Sequence, residues 1–228
     1  MNREDFLTIE ETAHNLGVST RHARRLADSG AINRVARGLV DRASVDRYLQ
    51  SQRQGRTRSW AEHTAWGAAA ILAGREADWL GATQVSRLRQ ALRSINEVDE
   101  LLTRMRDRAL SHTFDAHRAA LPRLRELVTT SSTEPLGITG TLGDVDGYIA
   151  AGQLNDIVRA LGLRPSSSGA VTLRVTDFDF TRVRNLVETP VVAALDIATS
   201  TDPRLRGVGH RALGELLEAY REHRPSHH

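Results

Sequence analysis

The chain has 228 residues, 40% hydrophobic and 26% charged, which is ordinary for a globular protein of one large or two ordinary domains. It has no cysteine, which excludes disulfides and thiolate metal sites. Lysine is absent too: all 31 basic side chains are arginine, the net charge is only +3, and so charge alone identifies no nucleic-acid binder.

The stretch Leu7 to Gly30 (LTIEETAHNLGVSTRHARRLADSG) predicts two short helices joined by a tight turn. Thr8 and Glu11 have capping-box spacing, and Ala13 and Leu16 share a face with Ile9. Gly17 supplies the turn, Val18 plugs the space between the helices, and Ser19 caps the second, which Ser29-Gly30 ends. Ala23, Leu26 and Ala27 then face inward, leaving Thr20, Arg21, Arg24 and Arg25 outward with His22 at the side. Short donors followed by guanidinium groups suit a major groove, where Arg can bind guanine O6 and N7 in bidentate fashion. Ile32 to Val35, a turn at Ala36-Arg37-Gly38 and Leu39 to Arg42 predict a small hairpin, and Ser44 is expected to cap a helix from Val45 to Gln50. Helix, turn, helix, hairpin, helix is the order of a winged helix-turn-helix. The expected DNA-binding residues are Ser19, Thr20, Arg21, His22, Arg24, Arg25, Arg34, Arg37 and Arg42. Net charge over residues 1–60 is +4, against +1 over 61–130 and −2 over 131–228, so the basic excess coincides with this segment.

Residues 51–58, polar and centred on Gly55, read as a linker. From Ser59 a helical middle begins, with Ser59 and Glu62 spaced as a capping box. Trp60 to Ala73 is apolar on most sides and predicts a buried helix closed by Gly74. Gln84 to Arg93 places Val85, Leu88 and Leu92 on one face. Asn96 is expected to cap a helix carrying Val98, Leu101, Leu102, Met105 and Ala109, and a further helix is expected from His117 to Val128. After a polar break near 129–135, where a subdivision stays open, Val145 to Leu161 reads as a helix interrupted near Gly152. Val171 to Val175 alternates strictly, predicting a strand with one buried face. Thr189-Pro190 and Asp202-Pro203 each begin a helix of a closing pair, Val191 to Ala198 and a longer one ending near Tyr220.

Catalytic chemistry finds little support. Asp177 and Asp179 resemble the carboxylate pair with which nucleotidyltransferases hold Mg²⁺, but Ser168-Gly169 is the reverse of their Gly-Ser turn and no phosphate-binding cation follows. Asp144 and Asp146, read as lying in a loop, lack the further ligands of a calcium site. The histidines are scattered without zinc-protease spacing, and no nucleophile elbow is present. The expectation is a chain that is not an enzyme, with no catalytic residues, cofactor or metal. No apolar run follows the first residues, and Ala65 to Ala73 is far too short for a membrane span, so a cytoplasmic location is expected.

The N-terminal segment resembles the helix-turn-helix domains of excisionases and MerR-type regulators in "LTIEETAHNLGVS", the Arg-bearing helix, "GAI", the Arg-Gly wing and "VDRYL". The whole chain resembles the antitoxin of AbiE-type (type IV) toxin–antitoxin pairs in "SWAEHTAWGAAAILAG", "AHRAALPRL", "AVTLRV" and "TPVVAALDIATSTDPRLRGVGHRALGELL". That resemblance implies an autorepressor that binds double-stranded operator DNA and counteracts a nucleotidyltransferase-like toxin. The alternative is a stand-alone regulator whose C-terminal part binds an effector or mediates dimerisation. The expected fold is mainly α with small β elements (α+β): a winged helix-turn-helix over 1–50, the linker, and a mostly helical domain over 59–226.

Overall fold

The computed structural model describes residues 6–28, 32–36, 38–42, 44–45, 48, 58–138, 145–166, 169–200 and 202–222. Expectations for Ser29-Gly30, Arg37, residues 51–57, Asp144 and Ser168 lie outside these residues. The protein is mainly helical with two small sheets, an α+β fold. It divides into two compact units, Met1–Arg58 and Ser59–His228.

In the first unit, β1 (Phe6–Thr8) leads directly into α1 (Ile9–Leu16). The capping box is formed: Thr8 Oγ1 accepts from the Glu11 amide at 3.1 Å, and Glu11 Oε2 accepts from the Thr8 amide at 2.8 Å. Gly17 ends α1 in the left-handed conformation (φ 63°), which a side chain would strain. Ser19 Oγ then accepts from the His22 amide at the start of α2 (Thr20–Asp28). β2 (Arg34–Ala36) and β3 (Leu39–Asp41) form the hairpin, and β1, which sequence reasoning missed, joins it in the order β1-β3-β2, all antiparallel. Arg42, Ser44, Val45 and Tyr48 have helical backbone. Its cap is Asp41 rather than Ser44, because Asp41 Oδ2 accepts from the Ser44 amide at 3.0 Å. Ser44 instead ties the strands, accepting from the Asn33 amide at 2.9 Å and donating to the Asp41 carbonyl at 2.7 Å. The core is Leu7, Ile9, Ala13, Ala23, Ala27, Ile32, Val40 and Val45, with Leu16, Val18 and Leu26 packed on it.

In the second unit, α3 (Glu62–Leu72) is buried at every position from Ala65 to Leu72. The expected Ser59–Glu62 capping box is absent: Ser59 bonds Asp107, and Glu62 accepts instead from the Asp177 amide and the Thr176 hydroxyl. α4 (Ala82–Ser94) buries Leu88 and Leu92. α5 (Val98–Met105) has Glu97, not Asn96, at its cap position, with no side-chain cap bond, and ends before Ala109 because the chain turns into a strand, β4 (Leu110–Asp115). The helix expected from His117 is shorter, α6 (Leu121–Leu127), preceded by one 3-10 turn.

The largest correction concerns Val145 to Leu161. Its first six residues are a strand, β5 (Val145–Ala150), and only then does α7 (Leu154–Leu161) begin. With β6 (Arg164–Pro165) and β7 (Val171–Thr176), these strands form a sheet in the order β5-β7-β4-β6. β5 runs parallel to β7, while β4 is antiparallel to both β7 and β6. One face of the sheet presents Val145, Ile149, Val171, Leu173 and Val175 to α6 and α7. The other presents Tyr148, Arg174 and Thr176, all buried, so both faces of β7 are covered rather than the one expected. Above that second face lies the larger core of α3, α4, α5, α8 (Phe180–Val187), α9 (Pro190–Ala198) and α10 (Pro203–Glu222). Thr189 holds the cap position of α9, but its hydroxyl donates back to the Leu186 carbonyl at 2.6 Å. Asp202 does cap α10, accepting from the Arg204 amide at 2.7 Å. The two helices touch at Gly209, where a Cβ would lie 2.4 Å from the Ala198 nitrogen.

Candidate nucleic-acid interface

The Gly17 turn and the apolar contacts of Ala23 and Ala27 fix which side of α2 is left to solvent. Ser19, Thr20, Arg21, Arg24 and Arg25 are exposed there, and His22 is half-buried. His22 Nδ1 lies 2.9 Å from Arg25 Nη2, which steadies one guanidinium on the helix surface. Arg34 is exposed on the hairpin and pairs with Asp28 at 2.7 Å, linking β2 to the end of α2. That contact is a partly exposed ion pair of small energetic weight, and it holds Arg34 beside the helix. Arg42 is exposed just past the hairpin. Arg37 lies outside the described residues. The surface is thus a short helix bearing three exposed guanidinium groups beside a strand bearing a fourth, with hydroxyl groups at the helix start. Such a face can hold phosphates electrostatically and can place a planar donor fork against a base edge.

Elsewhere the structure describes three of the four paired acids, Asp144 lying outside the described residues. Asp179 caps α8, accepting from the Thr181 amide at 2.9 Å, and Asp177 is exposed beside Glu62. Asp146 lies in β5, not a loop, and receives a two-pronged bond from Arg174 at 2.7 and 2.8 Å. Among the described residues no group of three or more His, Asp or Glu side chains could hold a metal.

Sequence reasoning missed a buried ion network centred on Asp196, in the seam between the sheet and the large helical core. Asp196 Oδ1 accepts from Tyr148 Oη at 2.6 Å and Arg108 Nη2 at 2.7 Å, while Oδ2 accepts from Ser131 Oγ at 3.0 Å. Arg174 Nε lies 3.5 Å from the same carboxylate. The Arg108 and Asp196 side chains are only 4% and 7% exposed, so water screens the pair little. Burial alone would raise the Asp196 carboxyl, but Arg174 and Arg108 outweigh it and hold it below the ordinary carboxylate range. Burial pushes the Tyr148 phenol up, keeping it a neutral donor. The ring of Tyr148 meets Trp66 edge-on at 5.5 Å, which ties α3 into the seam. One signal was available: Asp196 interrupts the otherwise apolar run Val191 to Ala198, and a buried acid demands a partner.

No family model matches the chain, and no curated protein or solved structure matches it.

Proposed function

We propose that the first unit binds duplex DNA sequence-specifically as a winged helix-turn-helix, with α2 in the major groove and the hairpin as the wing. The observation that carries this reading is the exposed row Arg21, Arg24 and Arg25 on a helix held by a Gly17 turn against α1. Arg24 and Arg25 are the base-reading candidates, and Ser19, Thr20, Arg34 and Arg42 are the backbone contacts. By its resemblance to AbiE-type antitoxins, the chain acts as an autorepressor that counteracts a nucleotidyltransferase-like toxin. The reading includes no nucleotidyl transfer by this chain: the sequence lacks the Gly-Ser turn and following phosphate-binding cation, and the Asp179 carboxylate serves as the cap of α8.

Titration of full-length protein with its own promoter fragment and with random duplex of equal length, at physiological salt, tests the DNA reading. A clear preference for the promoter is expected; equal affinities would sink specific readout. Growth rescue on co-expression with the product of the adjacent gene tests the antitoxin reading separately.

A further inference from the structure

Two hollows in the second unit adjoin along Leu72, Arg75 and Leu216. The larger, about 500 Å³, opens where the end of α3 passes α4 and α10. Its floor is apolar, formed by Ile71, Leu72 and Leu216, while its rim carries Arg75, Arg89 and Arg93 against one acid, Glu76. Arg75 Nη1 donates to the Asn185 carbonyl at 2.7 Å, which holds that side chain in place. Arg93 lies over the Tyr220 ring, with its Cζ 5.9 Å from the centroid. The Tyr220 hydroxyl is shielded from solvent and has no hydrogen-bond partner among the described residues. Burial raises the phenol in spite of the Arg93 and Arg89 charges nearby, so it stands in this groove as a neutral donor. Exposed guanidinium groups around an apolar floor call for an anionic group supplied from outside.

We propose that this groove receives an acidic amphipathic segment of a partner protein. Apolar side chains of that segment cover Ile71, Leu72 and Leu216, and its carboxylates pair with Arg89 and Arg93. The apolar floor decides against a nucleic-acid strand. A phosphodiester chain would satisfy the arginines and leave the apolar floor uncovered. An apolar stripe flanked by charge meets both demands at once, in the manner of a helix laid into a groove. The proposal is independent of the DNA-binding reading, since it concerns only residues of the second unit.

The test uses the full chain and a labelled synthetic peptide with leucines at helical spacing and glutamates flanking them, followed by fluorescence anisotropy. Saturable binding of one peptide per chain is expected, weakened about tenfold by the double change Arg89→Glu, Arg93→Glu. A peptide with lysines replacing the glutamates should restore binding to that variant. Circular dichroism checks that the variant is folded. Absence of saturable binding, or an affinity indifferent to charge reversal, overturns the proposal. Tighter binding of oligothymidylate, competitive with the peptide, overturns it in favour of a nucleic-acid strand.

Discussion

Arg24 and Arg25 stand side by side in sequence yet leave α2 about 100° apart, so each meets a different part of any duplex lying on the helix. Replacing either by Ala should cost roughly 1–3 kcal/mol on the cognate promoter if that side chain reads a base, with little change on random DNA. Anisotropy titrations on both duplexes distinguish this from a phosphate contact, which weakens both alike. Asp196 makes the opposite kind of case, because its charge is compensated inside the protein. Asp196→Asn leaves Arg108 without its counter-charge, while Arg174 keeps Asp146, and should destabilise the second unit by about 3–5 kcal/mol in urea unfolding. The pH dependence follows from the lowered carboxyl. Its contribution is present above the unfolded carboxylate value, about 3.9, and is lost as pH falls through the lower folded value. The native chain should therefore lose stability in that acid window, and the Asn variant should show a flatter profile there.

At the scale of elements, packing sets the tolerances. Gly209 lets α10 lie against α9 so closely that a methyl group would overlap the Ala198 backbone. Gly209→Ala should push the pair apart and cost about 1–3 kcal/mol, read from the urea midpoint, while leaving DNA binding intact. These helices were legible in the sequence because Pro190 and Asp202-Pro203 mark their starts and apolar residues recur at helical spacing. The Thr8–Glu11 box and the Gly17 turn were legible for the same reason: the information is local. β5 was not, since Val145, Tyr148 and Ile149 fit a helical stripe equally well and only pairing with β7 distinguishes the two. β4 alternates only weakly, with Leu110 and Phe114 on one face and His112 between them, and is a strand because β7 and β6 flank it. Of the interface, the arginines of α2 could be read directly, but the pairing of Arg34 with Asp28 could not, because it joins a strand to the end of a helix.

For the molecule as a whole, each unit holds its own core and its own caps. A chain beginning at Ser59 should fold with the native circular dichroism of its helices and should lose promoter binding. Retained promoter affinity in that truncation would move the DNA interface out of the first unit. A soluble, folded truncation that still rescues growth against the adjacent gene product would assign neutralisation to the second unit. Failure of rescue would bring the first 58 residues into it.

The Asp196 carboxylate, carried on α9 of the helical layer, draws on Tyr148 from β5, Arg108 from the turn after α5 and Ser131 from the segment after α6. A group shared this way makes the sheet layer and the helical layer open together, since neither can depart without stranding a charge in the other. Backbone amides of β7 and α9 should accordingly exchange with deuterium at a common opening free energy, as one foldon. Asn at position 196 should let the two sets of amides separate into a faster and a slower class, and denaturant unfolding should broaden into two steps.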